Sequence, residues 1–362
     1  MPQPSTLPAV DTPLEIAPED VVLEDWDHVV DIRPHATTAP RIPGSEAVDS
    51  GTLTSETSGV DRQSRVLVVC DVGMRSRIAA LALKNAGATD VRSLEGGIDA
   101  WRRAGRQLTH TGGLPDDDLD RYDRQIKLPG FGSKAQVALR NSTVVVVGAG
   151  GLGSPVVAYL AGAGVGSLVI VDDDDVSVSN LHRQPLFRSS DAGQPKADLA
   201  VRFVESLNPS ISAVAIHDRI TPENAEKLIA GADLVVDASD NYPTRYTVND
   251  ASVRAGIPLV TGAVYRFEGQ VLTVLPTGPC YRCVFPREAT DSADLDCSIV
   301  GVLGPVVGTV GSMMATAAIR ALTNPGSVNR DVLTVFDGLT LETMRVRSAK
   351  RESCPTCGGR GA

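Results

Sequence analysis

The run "VDDDDVSVSNLHRQ" sets four consecutive aspartates, residues 172–175, ahead of Asn180, Arg183 and Gln184. Such carboxylates can hold a metal ion, wall a ligand pocket or simply sit in water, and their neighbours decide which. Upstream, Gly148, Gly150 and Gly153, with Gly151 inside the same turn, form G-x-G-x-x-G in "VVVVGAGGLGS". Glycines there permit a tight turn and close backbone approach to a ligand, and the N-terminus of the following helix favours an anion. Asp172 comes about 20 residues on, the usual place for an acid that hydrogen-bonds ribose hydroxyls.

A nicotinamide dinucleotide would explain that much, and an NAD-dependent oxidoreductase is one reading. It leaves unexplained Arg183, Lys196 in "GQPK" and Asp240 in "DASDN". Two cations beside a glycine turn can stabilise charge on phosphates during transfer. An aspartate offers the hard oxygen that Mg²⁺ prefers. The set suits ATP with magnesium. Asp174 is a further candidate for the nucleotide site, while Asp173 and Asp175 are read as solvated loop. A carboxylate attacking an α-phosphate as pyrophosphate leaves needs no protein nucleophile, only positioning and charge neutralisation.

The six cysteines divide by spacing. "CYRC" (Cys280, Cys283) and "CPTC" (Cys354, Cys357) are two C-x-x-C pairs far apart in sequence. That pattern signals a tetrahedral zinc site that would pin the C-terminal tail; a redox pair is the alternative. Cys70 opens "CDVGMRS" between a strand and a helix, with Arg75 in the loop. Backbone N–H groups, a helix N-terminus and a guanidinium would stabilise a thiolate or persulfide there. Phosphatase loops also begin with Cys and end with Arg, but space them by five residues, against the four here. The smaller loop suits a sulfane sulfur better than a phosphate. Cys297 lies among polar residues in "DSADLDCSIVGVLGP", which points to an exposed loop.

These groups need a scaffold. The chain has 362 residues, 44 acidic against 34 Lys and Arg, and a net charge of -10, which argues against nucleic acid as the main ligand. "HVVDIR" and "RVLVVC" read as strands, and "SRIAALALKNAG" as a helix with Ile78, Leu81, Ala82 and Ala86 on one face and Gly87 as its stop. From Asp120 onward strand and helix signals alternate, the pattern of a largely parallel sheet covered by helices. "HTGGLPDDDLD" reads as a linker. The uncharged stretch from Cys297 to Ile319 approaches membrane-span length. Its glycines and Pro305 favour instead a buried helix that other backbones approach closely, at a subunit interface for example. The first residues carry no signal-peptide pattern and read as a disordered lead.

"RYDRQI", "GAGGLGS", "VDDDDVSVSNLHRQ", "GQPK", "DASDN" and "GAVYRFEGQV" resemble, in order, the motifs of the ThiF/MoeB adenylyltransferases, relatives of ubiquitin-activating enzymes. The resemblance implies that Asp172 contacts ribose, Arg183 and Lys196 contact phosphate, and Asp240 binds Mg²⁺. It implies that Arg124 reaches the partner's nucleotide in a homodimer, and that the cysteine before "GVLGP", Cys297, attacks or carries the adenylated substrate. The four paired cysteines match the family's zinc ligands. "VVDIRPHA", "RIPGS", "CDVGMRS" and "LEGGIDAWRRAG" resemble a rhodanese domain, with Arg41 where many rhodaneses have His. In the family's known fusions the rhodanese domain follows the adenylyltransferase; here it precedes it.

The expectation is therefore α/β: a Rossmann-like ATP-binding domain with a mixed, mostly parallel sheet, preceded by a small α/β rhodanese-like domain. Its bounds are a lead over 1–13, the rhodanese-like domain over 14–110, a linker over 111–119 and the adenylyltransferase with its zinc site over 120–362. The expected substrate is a ubiquitin-like sulfur carrier ending in Gly-Gly, adenylated with ATP and Mg²⁺ and then thiocarboxylated. Thiosulfate or a cysteine desulfurase would charge Cys70. The setting is cytoplasmic, without membrane or nucleic acid. A rhodanese domain that only docks a sulfur donor is the rival for the first domain.

Overall fold

The computed structural model describes residues 13–34, 36, 40–48, 63–109, 114–286, 301–328 and 331–358. Cys297 lies outside them. The chain divides into two compact units, residues 1–119 and 120–362.

The first unit carries a five-stranded, all-parallel sheet of β1 (Glu15–Ile16), β2 (His28–Asp31), β3 (Glu46–Ala47), β4 (Arg65–Val69) and β5 (Asp90–Leu94), in the order β1-β5-β4-β2-β3. Alternation along β4 explains two cores. Val66 and Val68 pack with Leu83 and Val91 on one face; Leu67 and Val69 pack with Ile98 and Trp101 on the other. Helix α1 (Met74–Asn85) follows β4, and α2 (Gly97–Arg103) follows β5.

One expectation fails here. The face of α1 bearing Ile78, Leu81, Ala82 and Ala86 points outward, with Ile78 67% and Leu81 49% exposed. The buried face is Ser76, Ala80 and Leu83. Small side chains at 76 and 80 let the helix lie close on the sheet, and the Cys70 loop dictates its rotation by requiring Ser76 inside. Gly87 does end the helix, at φ 99°.

The linker expectation also shifts. Helix α3 (Asp116–Ile126) begins inside it. The carbonyl of Pro115 accepts from the N–H groups of Asp118 and Leu119, and acids in a first turn favour the helix N-terminus.

The second unit is built on an eight-stranded mixed sheet. Its parallel part comprises β6 (Thr143–Val147), β7 (Ser167–Val171), β8 (Ser212–Ile216), β9 (Leu234–Asp237) and β10 (Leu259–Tyr265). Antiparallel strands β11 (Glu268–Val274), β12 (Val332–Asp337) and β13 (Glu342–Arg347) extend it, in the order β13-β12-β11-β10-β9-β6-β7-β8. Val144 and Val146 face a core shared with α5 (Gly153–Ala163), α6 (Lys196–Leu207) and α10 (Gly304–Thr323). Val145 and Val147 face the opposite core, with α7 (Ala225–Ile229), α8 (Tyr242–Ala255) and the paired cysteines. The short helices α4 (Gly132–Arg140) and α9 (Tyr281–Val284) complete the unit.

Helix α10 is long and apolar enough to cross a membrane by length and composition. Val306, Val307, Val310, Met314, Ala315 and Ala318 are nonetheless buried in the core. The glycine expectation holds for two of the four: a Cβ on Gly311 would meet the Leu152 carbonyl at 2.7 Å, and one on Gly304 would strike the carbonyl of His182, while Gly301 and Gly308 have open space around them.

Gly153 opens α5 against the carbonyl of Gly148 with no room for a Cβ. Gly153→Ala should therefore cost about 2 kcal/mol or more. Chemical denaturation of the purified chain tests this; an unchanged midpoint would contradict the packing.

Candidate nucleotide and zinc sites

Strand β6 delivers the glycine turn to the carboxyl end of the sheet, where ligands of open α/β folds bind. Gly148 is left-handed (φ 91°), and a Cβ there would meet the Ala238 carbonyl at 2.9 Å. The turn after β6 thus packs directly on the loop after β9. Asp172 ends β7 and ties this corner together. Its Oδ2 accepts the Ala149 N–H at 2.6 Å, and its Oδ1 accepts the Asp174 N–H at 2.9 Å. Burial raises the Asp172 pKa, against the opposing pull of Lys196 and these N–H donors.

One cleft is lined by Gly148, Gly150, Gly151, Asp172, Asp174, Asn180, Arg183, Gln184, Lys196 and Asp240. The sequence-predicted residues of the nucleotide site therefore converge from five separate segments, except Gly153, which packs against the Gly148 carbonyl and does not line the cleft. Lys196, at the first position of α6, is 3% exposed and pairs with Asp174 at 2.6 Å. Arg183 donates to Asn180 Oδ1 at 2.9 Å. Gln184 is buried beside Gly150, and among the described residues its Oε1 has no partner. An unpaired buried acceptor in a ligand cleft is a position for a ligand donor. Asp240 is exposed on the cleft wall, so its carboxylate is open to a hydrated cation.

Arg124 stands apart from this set. Its side chain is 98% exposed on α3, and it is absent from the cleft of its own chain.

Sequence reasoning missed two cleft residues. Arg219, after β8, pairs with Asp173 at 3.0 Å and closes the rim; this gives Asp173 a partner where a free solvated carboxylate was expected. No local signal marks Arg219. Arg245 is buried in the second turn of α8, where its guanidinium donates to the Ser239 carbonyl at 2.8 Å. Its placement four residues after the helix cap Asn241, on the same face, was a usable signal.

On the opposite face of the sheet, Cys280, Cys283, Cys354 and Cys357 are buried with their sulfurs within 4.8 Å of one another. Cys280–Cys354 is 3.5 Å and Cys283–Cys357 is 3.3 Å. A tetrahedral zinc with sulfurs at about 2.3 Å requires sulfur separations of about 3.8 Å, so the cluster fits. Burial raises the Cys280 thiol and pushes Cys357 up to about 11. At Cys354 burial is outweighed by the N–H groups of Cys357 and Thr356, which bring the thiol down to about 6. Four thiolates here need a cation to neutralise them.

In the first unit Cys70 follows β4 and is completely buried. Its Sγ accepts the Ser76 N–H at 3.3 Å, from the first turn of α1, and lies 3.3 Å from Ser76 Oγ. The N-terminus of α2 clamps the loop: Ile98 N–H bonds the Cys70 carbonyl at 2.9 Å. Arg75, in the first turn of α1, is paired with Asp71 of the Cys70 loop.

A glycine turn on a Rossmann-like sheet, four cations and several carboxylates in one cleft, and a tetracysteine cluster in the same unit define an ATP-dependent activating domain. The chain belongs to the ThiF family, whose model matches residues 122–356, and carries a rhodanese-like domain matched over residues 20–104. It is 47% identical over 250 residues to the SAMP-activating enzyme E1 of Haloferax volcanii, covering 68% of this chain and 92% of that protein. It is 46% identical over 248 residues to the sulfur carrier protein adenylyltransferase of Thermus thermophilus, covering 67% of this chain and 92% of that protein. An adenylyltransferase and sulfurtransferase MOCS3 from Dictyostelium discoideum is 43% identical over 249 residues, covering 68% of this chain and 58% of that longer protein. The crystal structure of E. coli MccB shares the fold, with a TM-score of 0.60, 21% identity and coverage of 73% of this chain and 81% of that one.

Loss of one zinc ligand gives a direct check on the knuckle. Cys354→Ser should release bound zinc and lower the melting temperature by about 10 °C. Metal content by absorption spectroscopy and a thermal melt measure both; an unaltered melt with zinc gone would deny the site its structural role.

Proposed function

We propose that the chain adenylates the C-terminal glycine of a ubiquitin-like sulfur carrier and then converts it to a thiocarboxylate. The observation that carries this is the convergence of the glycine turn, Arg183, Lys196 and Asp240 on one cleft. The named activities of the archaeal and bacterial relatives support it.

A carrier carboxylate oxygen attacks the α-phosphorus of ATP, the bond to the bridging oxygen breaks, and pyrophosphate leaves. Arg183 and Lys196 neutralise the charge that builds on the phosphates. Asp240 would hold Mg²⁺, which supplies further neutralisation of the departing pyrophosphate. Arg124 would come from a second copy of the chain. An apolar groove of about 910 Å³ along α5 and α10, beside the exposed Tyr159, supports a homodimer.

Sulfur enters at Cys70, whose thiolate takes the sulfane sulfur of thiosulfate and releases sulfite, or takes it from a desulfurase persulfide. The terminal persulfide sulfur attacks the acyl carbon of the adenylate, expelling AMP and leaving an acyl disulfide. The Cys297 thiolate then attacks the Cys70 sulfur, releasing the thiocarboxylate and leaving a disulfide that an external dithiol reduces. Burial of Cys70 accords with a reactive sulfur that extends about 2 Å beyond Sγ. The same burial, with Arg75 neutralised by Asp71, favours the alternative of a docking module. Four clustered cysteines placed to hold a metal and not to pair as disulfides accord with a cytoplasmic setting.

The test incubates the enzyme with candidate carriers, ATP and thiosulfate, and reads the carrier by intact mass. Replacement of one oxygen by sulfur is expected. Absence of carrier-dependent pyrophosphate exchange with every Gly-Gly carrier of the source genome would refute the proposal.

A further inference from the structure

Helix α8 joins the two sites of the second unit. Its cap Asn241, Thr244 and Arg245 line the nucleotide cleft. Two turns on, Asn249 accepts the Tyr281 N–H at 2.8 Å, and Asp250 accepts two bonds from Arg282 Nε, at 2.8 and 3.0 Å. Thr356, between the last two cysteines, donates to the same carboxylate at 2.7 Å. Both halves of the tetracysteine cluster are therefore bolted to one helix.

A second connection runs through side chains. Tyr281, between Cys280 and Cys283, packs edge-on against Tyr246 with ring centroids 5.3 Å apart. Tyr281 and Arg245 line one small void, and the guanidinium is the main charge acting on the Tyr281 hydroxyl. Arg245 borders the nucleotide cleft on one side and, on the other, a small void beside Tyr281 and Phe285. Among the described residues its Nε has no hydrogen-bond partner; the bond to the Ser239 carbonyl, the Tyr242 ring 5.7 Å away and the neighbouring Tyr281 set its orientation. Ser239 in turn donates from N–H and Oγ to the buried Asp237, at 3.1 and 2.6 Å. That pair fixes the loop whose next residue is Asp240 and on which Gly148 rests.

We infer that Arg245 is a positioning residue through which the order of the zinc knuckle sets the 238–241 loop, so that metal occupancy and ATP affinity are coupled. The chain of contacts is Tyr281, Arg245, Ser239, Asp240. Arg245 acts on the loop and not on the reacting phosphate. Helix α8 packs beside the knuckle and also lines the cleft, so packing through Arg245 is the route between them.

The inference rests on the cleft being the ATP site. Its test uses the full chain and measures ATP binding by calorimetry, beside zinc content and a thermal melt. Removing zinc from the wild type should weaken ATP binding roughly tenfold, a typical coupling between linked sites. Arg245→Met should weaken it to a similar extent with zinc retained, and zinc removal should then add less than about twofold. Tyr281→Phe keeps the ring and removes the hydroxyl; with zinc bound it should weaken ATP binding severalfold and change nothing further once Arg245 is methionine. This arm decides the matter if the metal-free chain does not stay folded. Equal weakening by zinc removal in wild type and Arg245→Met, or unchanged affinity in zinc-loaded Tyr281→Phe, overturns the coupling. Failure of the zinc-loaded wild type to bind ATP at all overturns the site reading instead.

Discussion

Replacing Lys196 by methionine is expected to lower carrier-dependent ATP–pyrophosphate exchange by about a thousandfold. The ammonium is almost wholly buried at the head of α6, pairs with Asp174 and lines the same cleft as the glycine turn. On the proposed reading, deleting it removes a phosphate contact and leaves Asp174 as an unbalanced anion beside a polyanionic substrate. The fold should tolerate the change. The Asp174 carboxylate is 61% exposed and can be hydrated, and the methionine stem fills the volume of the lysine stem. A melting temperature near the wild-type value with exchange almost gone is the predicted pair of readings. Exchange within threefold or so of wild type would mean that Lys196 only supports the acidic loop, a contribution too small for a transition-state contact.

The second large effect separates the two chemistries. Cys70→Ala should cut thiocarboxylate formation from thiosulfate by at least about a hundredfold, since in the proposed relay Cys70 carries the sulfane sulfur. Pyrophosphate exchange should stay within about twofold, because Cys70 belongs to a different compact unit from the nucleotide cleft. Intact mass of the carrier gives the first reading and labelled pyrophosphate the second. Undiminished sulfur incorporation would assign the first unit to docking alone.

How far the sequence foretold these sites depended on whether the information was local. The glycine turn and Asp172 lie in or directly after a strand–turn–helix–strand stretch, where periodicity and turn chemistry speak directly. The two C-x-x-C pairs were equally legible, because ligand type and spacing imply a tetrahedral site whatever the path between them. Arg219 was not, because its partner Asp173 lies on another strand end and only the sheet order β6-β7-β8 brings them together. Helix α1 misled for a related reason: its larger apolar residues face outward, and a hydroxyl required beneath the Cys70 loop fixed the inward face. Asp237 and Asp240 show the same limit. Both sit in one short motif, yet Asp237 is buried and bonded by Ser239 and Thr261, while Asp240 is exposed on the cleft wall.

Asp172 has a bearing on any attempt to re-engineer the cleft for other nucleotides. Both of its oxygens already hold backbone N–H groups, one in the glycine turn and one in the acidic loop. A mutagenesis campaign that began at this carboxylate would collapse the floor on which every incoming cosubstrate must rest. Altered base or sugar preference is better sought at the Asp173–Arg219 rim, where two half-hydrated side chains can be exchanged while the architecture beneath stays intact.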